Sequence, residues 1–382
     1  MPPAHSTLPK VALDCRATHW PGIARYCREL GQALVRVAPD LRFVFLCDAG
    51  SARHWSAVAR AQDRVLPLTT RPPEPAEQIE VPLALARARV DLLHAPAAQS
   101  LPVAAPRLVV TVHDLILRHH PEFLPSRAGR AYYALMHAVA MRRARHLIAV
   151  SRYTRDDVVA CWPRVAPRIS AVWNGVGRQF RPVGDRVGDT AHLGVVRTHL
   201  GLPARYLLYV GTRKRHKNLT TLLTAWGRVP AALRRAVPLV LLAPADARYP
   251  EVDAAAQAVG VAAELVWLEH VSEAHMAALY SMARAVVQPS LIEGFGFPVA
   301  EAQACGTPAA VAAVTALPEI GADACVRFDP RDVDAMALAL QSLAEDDALH
   351  ARLSAAALRA ARRFDWDDSA RAVADVYRRC LQ

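Results

Sequence analysis

Lysine is rare in this chain, and two of its three lysines lie in one loop. The sequence holds 46 lysine and arginine residues, of which only Lys10, Lys214 and Lys217 are lysine. Residues 211–218, GTRKRHKN, follow an apolar run and precede a helical pattern. Lysine is a compact point charge that a planar arginine does not simply replace, and the amino end of a helix attracts phosphate. The loop is therefore either a diphosphate clamp, with Lys217 nearest the helix, or an ordinary solvated basic loop.

Two carboxylates stand eight residues apart in PSLIEGFGFPVAEAQACGTP, residues 289–308. We predict Glu293 in a loop and Glu301 in the first turn of a helix that begins at Pro298 and ends at Gly306. The glycines between them let a ligand approach the backbone N–H groups. Carboxylates beside a phosphate site need hydroxyl donors, and a nucleotide sugar carries both diphosphate and hydroxyls. The alternative is a structural turn whose glutamates stabilise the helix dipole.

A dinucleotide fingerprint, as in nicotinamide-dependent dehydrogenases, is a competing interpretation of this segment. It would begin at Gly294-Phe295-Gly296 and use Glu319 as the ribose acid. The true fingerprint has its glycines directly after the strand, whereas Ser290 to Glu293 intervene here. We reject it as the primary interpretation.

Three further residues lie at predicted strand or loop ends. His113, followed by Asp114, ends LVVTVHD, where it could bind a phosphate or sugar hydroxyl or assist proton transfer, or be structural. His94 has a similar position, and we assign it a structural role. Gly22 in WPGIARY precedes an amphipathic helix and either lets a loop approach the ligand or serves a turn.

Apolar runs alternate with helical patterns along the chain, which predicts an α/β protein with parallel sheets covered on both faces. The predicted strands are residues 11–15, 43–47, 91–95, 108–114, 146–151, 169–175, 206–212, 239–243, 264–269, 285–290, 308–313 and 325–329. Residues 183–204 contain few strand-like runs and separate the first six predicted strands from the last six. We therefore place one domain at 1–183 and the other at 184–365. Two doubly wound domains are expected to face a central cleft that receives the loops after the strands.

The composition favours anionic partners. The chain has 382 residues, 53% of them hydrophobic, and a formal charge of +11. No nucleic-acid motif appears, so we expect no nucleic-acid partner. The seven cysteines are scattered without CxxC or His/Cys spacing, and we predict reduced thiols in a cytoplasmic protein and no metal site.

Residues 123–155 contain seven arginines and no acid. A basic amphipathic helix in this range would contact an anionic membrane surface. We therefore expect association with the inner face of the membrane, against the alternative of an ordinary surface helix. No apolar run reaches the length of a membrane span.

These segments resemble the group 1 (family 4) retaining glycosyltransferases of the GT-B fold. EGFGFPVAE is similar to the family's two glutamates separated by seven residues, and YVGTRKRHKNLTTLL, LDCRATHWPGIARYCREL and VVTVHDL are also similar to family segments. So are LPEIGADACVRFDP and FDWDDSARAVADVY. The resemblance implies two Rossmann-like domains, an N-terminal acceptor-side one and a C-terminal nucleotide-sugar-binding one. It also implies a helix at about 366–382 that crosses back to the first domain.

The resemblance implies roles for the residues that match. Glu301 would hold the ribose hydroxyls, Lys217 would bind the diphosphate, and Glu293 would contact the donor sugar together with the backbone of the glycine-rich turn. That turn consists of Gly294, Phe295, Gly296 and Phe297.

The resemblance also places four residues around the donor. Gly22 would lie near the diphosphate, His113 would face the transferred sugar, and Val271 and Ser272 would form the base-binding loop. The implied catalytic residues are thus His113, Glu293 and Lys217. Many relatives carry an arginine where this chain has Thr212 or His216, and Arg213 or Arg215 would supply that charge, so Arg213 joins the donor-binding residues.

The implied reaction is metal-independent transfer of a hexose from a nucleotide sugar, with retention at the anomeric carbon and no cofactor. The GIARY and GT…KN segments resemble those of bacterial mannosyltransferases of surface-polysaccharide and lipopolysaccharide synthesis. GDP-mannose is therefore the first expected donor, and a glycan or lipid-linked acceptor is expected. The alternatives are a sugar phosphorylase, a nucleotide-sugar epimerase, or a non-catalytic nucleotide-sugar-binding subunit.

Overall fold

The computed structural model describes residues 8–98, 104–124, 126–182 and 189–382. The chain forms two compact units, unit 1 (Met1–Gly175 with Asp365–Gln382) and unit 2 (Val176–Phe364). The predicted domain boundary at 183/184 lies outside the described residues. The predicted cleft between the domains stays a prediction.

Unit 1 is built on a seven-stranded parallel sheet in the order β3-β2-β1-β4-β5-β6-β7. Its strands are β1 (Lys10–Asp14), β2 (Arg42–Cys47), β3 (Arg64–Pro67), β4 (Leu92–Ala95), β5 (Arg107–Val112), β6 (His146–Ala149) and β7 (Ile169–Ala171). The strand order reverses between β1 and β4, and ligands of doubly wound sheets bind beyond the carboxyl ends of the strands at such a point.

The helices of unit 1 that precede residue 175 connect these strands. They are α1 (Pro21–Val37), α2 (Ala52–Val58), α3 (Glu77–Ala88), α4 (Ile116–His119), α5 (Arg127–Arg143) and α6 (Arg152–Cys161), with short 3₁₀ turns at Pro121–Phe123 and Pro163–Arg168. Ser151 caps α6, because its hydroxyl accepts a hydrogen bond from the Thr154 N–H. Within the described residues, no helix is long and apolar enough to cross a membrane.

Unit 2 contains a six-stranded parallel sheet in the order β10-β9-β8-β11-β12-β13. Its strands are β8 (Leu207–Val210), β9 (Leu239–Leu242), β10 (Val266–Leu268), β11 (Ala285–Gln288), β12 (Ala309–Ala312) and β13 (Cys325–Phe328). Every residue of β9, β11 and β12 is buried, as expected for strands covered on both faces. The order reverses between β8 and β11.

The helices of unit 2 cover both faces of this sheet. They are α7 (Asp189–Leu200), α8 (Leu219–Arg228), α9 (Ala231–Ala236), α10 (Glu251–Ala258), α11 (Glu273–Met282), α12 (Phe297–Ala304), α13 (Leu317–Gly321), α14 (Val333–Glu345) and α15 (Asp347–Ala361), with 3₁₀ turns at Arg215–Lys217 and Ala262–Glu264. Asp332 caps α14 by accepting hydrogen bonds from the N–H groups of Asp334 and Ala335.

The last helix, α16 (Trp366–Leu381), belongs to unit 1. Asp365 caps it by accepting hydrogen bonds from the N–H groups of Asp367 and Asp368. The helix packs along α1 and against β4, β5 and β6. Its Tyr377 hydroxyl lies 2.6 Å from Nδ1 of the buried His94. The chain thus completes the core of unit 1 with its final residues.

The predicted α/β class with parallel sheets is confirmed, and all twelve predicted strands are present within a few residues of their expected bounds. The strand β3 was not predicted from the sequence. This strand, RVLP, is an edge strand with exposed ends. Four residues that include a proline give no readable periodicity.

Candidate functional site

The two motif loops of unit 2 follow neighbouring strands at the point where the strand order reverses. Lys217 lies in the loop after β8, and Glu293 lies in the loop after β11, which pairs with β8. Their side chains meet, with the Lys217 Nζ 2.6 Å from the Glu293 Oε1. Residues 76 positions apart are therefore joined at the place where doubly wound sheets bind ligands.

Hydrogen bonds hold these two loops together. The buried Asn218 has a left-handed backbone (φ 61°), and its side-chain amide donates to the carbonyl oxygens of Pro289 and Pro330. The Leu291 N–H donates to the His216 carbonyl at 2.8 Å. Asn tolerates the left-handed region better than most residues, so one residue turns the chain and fixes it. Lys217 is thereby positioned by backbone contacts on both sides.

Glu293 gathers three donors at a single oxygen. Its Oε1 accepts hydrogen bonds from Lys217, from the Gln288 amide at 2.9 Å and from the Ser290 hydroxyl at 2.8 Å. Its own N–H donates to the Thr315 hydroxyl. Across the part of the chain that the structure describes, no hydrogen bond ends on Oε2. That oxygen can accept a hydrogen bond from a ligand.

The charge of Glu293 is set by two opposing effects. Burial alone would raise its pKa, but the Lys217 ammonium and the hydrogen bonds from Lys217 and Ser290 bring the pKa below its ordinary value. Glu293 is therefore an ionised, acceptor-only group at neutral pH. Burial, and then the charge of Glu293, raise the pKa of the neighbouring Tyr209, which stays a neutral phenol.

Glu301 is buried in α12 and bound to a second helix. The Tyr280 hydroxyl, in α11, donates to its Oε2 at 2.7 Å. The predicted placement in the first turn is corrected slightly, because α12 begins at Phe297 and Glu301 is its fifth residue. Tyr280 thus links the carboxylate to the helix that begins directly after Val271 and Ser272.

The glycine-rich turn is shaped by its backbone and its aromatic rings. Gly296 has φ 98°, and a Cβ there would lie 2.9 Å from Cδ2 of Leu317. The buried Phe295 ring packs edge-on against Phe297 and Phe364, with centroids 5.2 Å and 5.6 Å away. The Phe295 side chain is therefore held in the interior, which leaves the backbone of residues 294–297 as the part that could meet a ligand.

Arg213 is held by other groups. Its guanidinium lies 2.8 Å from both carboxylate oxygens of Asp253, donates to the Ala243 carbonyl, and stacks 4.3 Å over the Trp267 ring. Arg215 is exposed and pairs with Glu251. The structure brings neither arginine to the Lys217–Glu293 pair, and their assignment as replacements for the family arginine stays a prediction.

Val271 and Ser272 are the last two residues of the loop between β10 and α11. Both are half-buried, and Val271 packs against the core cluster of unit 2. Ser272 precedes the first residue of α11 but makes no side-chain capping bond. Their predicted contact with the base of the donor stays a prediction.

In unit 1, His113 follows β5 and is half-buried. Its Nε2 lies 2.9 Å from the Pro96 carbonyl oxygen, so Nε2 carries the proton. Burial lowers the pKa of His113 to about 4, which leaves the ring neutral with Nδ1 as a hydrogen-bond acceptor. The ring stacks edge-on with Tyr26 and lines a cavity of about 110 Å³ with Asp114 and Ile23.

The structural role predicted for His94 is confirmed. Both ring nitrogens are bonded in the core, Nδ1 to Tyr377 and Nε2 to the Thr111 hydroxyl, which also contacts Tyr26. Burial, and then the nearby His113, lower its pKa to about 3. Gly22 differs from the sequence-based expectation, since it is the second residue of α1. A Cβ on Gly22 would meet no atom within 4 Å, so packing does not demand a glycine there.

Four site residues were missed by sequence reasoning: Asn218, Tyr280, Gln288 and Ser290. Gln288 and Ser290 flank the end of β11, and an amide and a hydroxyl shortly before a loop glutamate are a usable signal. The Tyr280–Glu301 bond joins two helices and had no sequence signal.

Two sequence families match the chain in succession. Residues 20–180 match the family described as Glycosyltransferase Family 4. Residues 199–360 match the family described as Glycosyl transferases group 1.

Related proteins include mannosyltransferases. The chain is 29% identical over 281 residues to the O-antigen chain mannosyltransferase B of Escherichia coli, covering 73% of this chain and 72% of that protein. It is 26% identical over 280 residues to the serotype-specific mannosyltransferase WbdA of Escherichia coli, covering 72% of this chain. The match covers only 34% of WbdA, so the chain spans about a third of that relative.

Solved structures share the fold over nearly the whole chain. Sucrose-phosphate synthase from Thermosynechococcus elongatus has a TM-score of 0.77 at 21% identity, covering 97% of this chain and 98% of that one. HepE of Anabaena, solved in complex with UDP-glucose, has a TM-score of 0.76 at 16% identity, covering 97% and 99%. These identities establish the fold alone.

The protein is therefore an enzyme of the glycosyltransferase class with the GT-B fold. The chain belongs to the group 1, family 4 glycosyltransferases. The resemblance seen in the sequence is confirmed, and so is the expected enzyme class.

Proposed function

We propose that the protein transfers mannose from GDP-mannose to a glycan or lipid-linked acceptor, with retention and without a metal ion. The observation that carries this proposal is the Lys217–Glu293 pair on neighbouring loops of unit 2. It places a cation for phosphate beside a carboxylate for hydroxyl groups. A nucleotide sugar needs both.

Lys217 is the proposed partner of the departing diphosphate. Its ammonium has three N–H donors and uses one for Glu293, so two are available for phosphate oxygens. In the transfer, the bond between the anomeric carbon and the diphosphate breaks while a bond from the acceptor oxygen forms. The acceptor proton goes to a phosphate oxygen. A fixed positive charge stabilises the negative charge that develops on the leaving group, which is work that a metal ion performs elsewhere.

The carboxylates are proposed to bind hydroxyls of the donor. The Oε2 of Glu293 would accept from the sugar, and Glu301, held by Tyr280, would accept from the ribose. Because Lys217 and the hydrogen bonds keep Glu293 ionised in spite of its burial, Glu293 acts only as an acceptor, and its negative charge disfavours a phosphate at that point. The diphosphate is thereby directed to Lys217.

His113 is proposed to bind the transferred sugar. Its Nε2–H is committed to Pro96, so its neutral Nδ1 can accept from a hydroxyl. Gly22 is exposed at the start of α1, which fits the proposed proximity to the diphosphate.

The mannosyl donor is supported by the mannosyltransferases among the relatives. The UDP-glucose complex of HepE keeps UDP sugars as the second candidate. The membrane contact is supported by the exposed Arg127, Arg142, Arg143 and Arg145 and by Leu135 of α5, which is 59% exposed.

The donor proposal is tested by the thermal shift of the purified protein with GDP, UDP, dTDP and ADP sugars. A ligand that binds only the folded state raises the melting temperature. We expect GDP-mannose to raise it, and Lys217→Ala to remove the shift. Lys214→Ala is the matched control, since Lys214 is exposed in the same loop and should leave the shift intact.

Other outcomes separate the alternatives. Stabilisation by a UDP sugar alone would replace the donor assignment. Binding without transfer to any acceptor would favour the non-catalytic subunit. Phosphate-dependent release of the sugar would favour a phosphorylase. Inversion of one hydroxyl without an acceptor would favour an epimerase. For a transferase, NMR of the anomeric proton should show retained configuration, and chelator should leave the rate unchanged.

A further inference from the structure

The structure brings together three side chains of unit 1 that can ligate a metal ion. His119 ends α4, while Asp157 and Cys161 lie four positions apart on α6. Residues four apart on a helix are neighbours on one face. The His119 Nε2 lies 2.8 Å and 2.9 Å from the two carboxylate oxygens of Asp157, and one ligand atom from each of the three residues lies within 4.8 Å of the others.

The chemistry of this set is specific. Nitrogen, thiolate sulfur and carboxylate oxygen together suit zinc, which binds all three types at about 2.0–2.3 Å. Tetrahedral ligands at those lengths lie roughly 3.3–3.8 Å apart, so modest side-chain movement closes the site. Three protein ligands leave a fourth position for water.

The surroundings allow an ion to enter. The His119 side chain is 39% exposed, and Cys161 also lines an open groove of about 520 Å³ with Trp162 and Arg164. The guanidinium of the adjacent Arg118 lies 4.5 Å over the Trp162 ring, and it opposes a cation. Once the ion is bound, the Asp157 carboxylate and the Cys161 thiolate place two negative charges in direct contact with it, whereas Arg118 and the groove residue Arg164 are not ligands.

We propose that His119, Asp157 and Cys161 form a binding site for a zinc-class divalent cation. On binding, the ion takes the Nε2 position that His119 now uses toward Asp157, while the ring keeps a proton on Nδ1, and the Cys161 thiol releases its proton to solvent. The ion joins α4, the helix that follows His113 and Asp114, to α6. The three ligands belong to unit 1, whereas Lys217 and Glu293 belong to unit 2.

Cobalt(II) is the probe that tests this site, since a thiolate ligand gives it a charge-transfer band in the near ultraviolet. The full chain, without a histidine tag, is reduced and freed of metal by chelation. We expect one equivalent of Co²⁺ to bind with that band and to be displaced by Zn²⁺. Cys161→Ser should abolish the band, and His119→Gln or Asp157→Asn should weaken Co²⁺ binding at least about tenfold.

Cys325→Ser is the matched control, because Cys325, like Cys161, is a half-buried free cysteine among the described residues. It should leave the band and the affinity unchanged. Circular dichroism and the melting temperature establish that each variant is folded. The proposal is overturned if the wild type shows no charge-transfer band, if the band survives in Cys161→Ser, or if Cys325→Ser abolishes it.

Discussion

The Lys217–Glu293 pair explains why a chain that otherwise uses arginine keeps a lysine in this loop. One carboxylate oxygen of Glu293 already accepts hydrogen bonds from an amide, a hydroxyl and an ammonium group. An ammonium is compact and can turn its remaining donors toward another group, whereas a planar guanidinium has its donors in a fixed fork. Arg213 differs from Lys217, because its planar guanidinium pairs with the Asp253 carboxylate and stacks over the Trp267 ring.

Replacing Lys217 by methionine should destabilise the protein in a pH-dependent way. In the wild type the pKa of Glu293 is lowered, so its contribution to stability is present above its unfolded pKa near 4.5 and is lost as the pH falls. Without Lys217, burial dominates and raises that pKa, so stability falls as the pH rises. The difference in free energy of unfolding between wild type and variant should therefore grow from pH 4 to pH 7, reaching roughly 2 kcal/mol.

Calorimetry across this pH range checks the effect. Lys214→Met, in the same loop but exposed, is the control and should run parallel to the wild type. A Lys217→Met difference that is constant with pH would mean that the ion pair does not govern the ionisation of Glu293.

Sequence reasoning at the residue scale succeeded where the chemistry is local to a loop. Glu293 and Lys217 were identifiable because each stands in a short motif after a strand. The cluster of His119 with Asp157 and Cys161 was not, because Asp157 and Cys161 lie 38 and 42 positions after His119 and only the packing of α4 near α6 brings the three side chains together. The prediction of no metal site, made from the scattered cysteines, stays a prediction.

At the scale of elements, the strand order determines where the site forms. β8 and β11 are neighbours although two strands and several helices separate them in sequence, and the loops after them meet. Long apolar strands were predictable because burial on both faces leaves nearly continuous apolar runs. The edge strand β3 and the first residue of α12 were not, since short or terminal turns depend on tertiary contacts.

Gly296 is the residue on which the start of α12 depends. Gly296→Ala forces a side chain into a left-handed conformation and against Leu317. We expect a loss of roughly 1–2 kcal/mol in stability from the backbone conformation alone, and weaker donor binding because α12 carries Glu301. Thermal unfolding and the donor-induced shift measure both effects.

Gly194→Ala is the control for this substitution. Gly194 lies within α7, and a Cβ there meets no atom within 4 Å. Alanine is the better helix former, so stability should hold or rise by up to about 1 kcal/mol. Equal losses in both variants would show that the left-handed turn at Gly296 has no special cost.

At the scale of the whole molecule, the chain builds unit 1 from both of its ends. Unit 2 occupies Val176–Phe364, and α16 then supplies a helix to unit 1. The sequence indicated this return only through its likeness to the family's terminal helix, because an amphipathic pattern does not say which sheet it covers. A buried chain of side-chain hydrogen bonds joins α16 to the sheet of unit 1. It runs from Tyr377 through His94 and Thr111 to Tyr26.

Two tyrosine variants test whether the units unfold as separate bodies. Tyr377→Phe removes the hydroxyl that pairs with His94 and leaves a buried ring nitrogen without its partner, at a cost of roughly 1–3 kcal/mol. Tyr206→Phe removes the equivalent buried hydroxyl of unit 2, which donates to the Leu279 carbonyl at 2.7 Å. In calorimetry we expect two transitions, each lowered by one variant alone.

Lys217→Met identifies the transition of unit 2, and Tyr206→Phe should lower that same transition while Tyr377→Phe lowers the other. A single transition lowered equally by both variants would mean that the two units unfold as one.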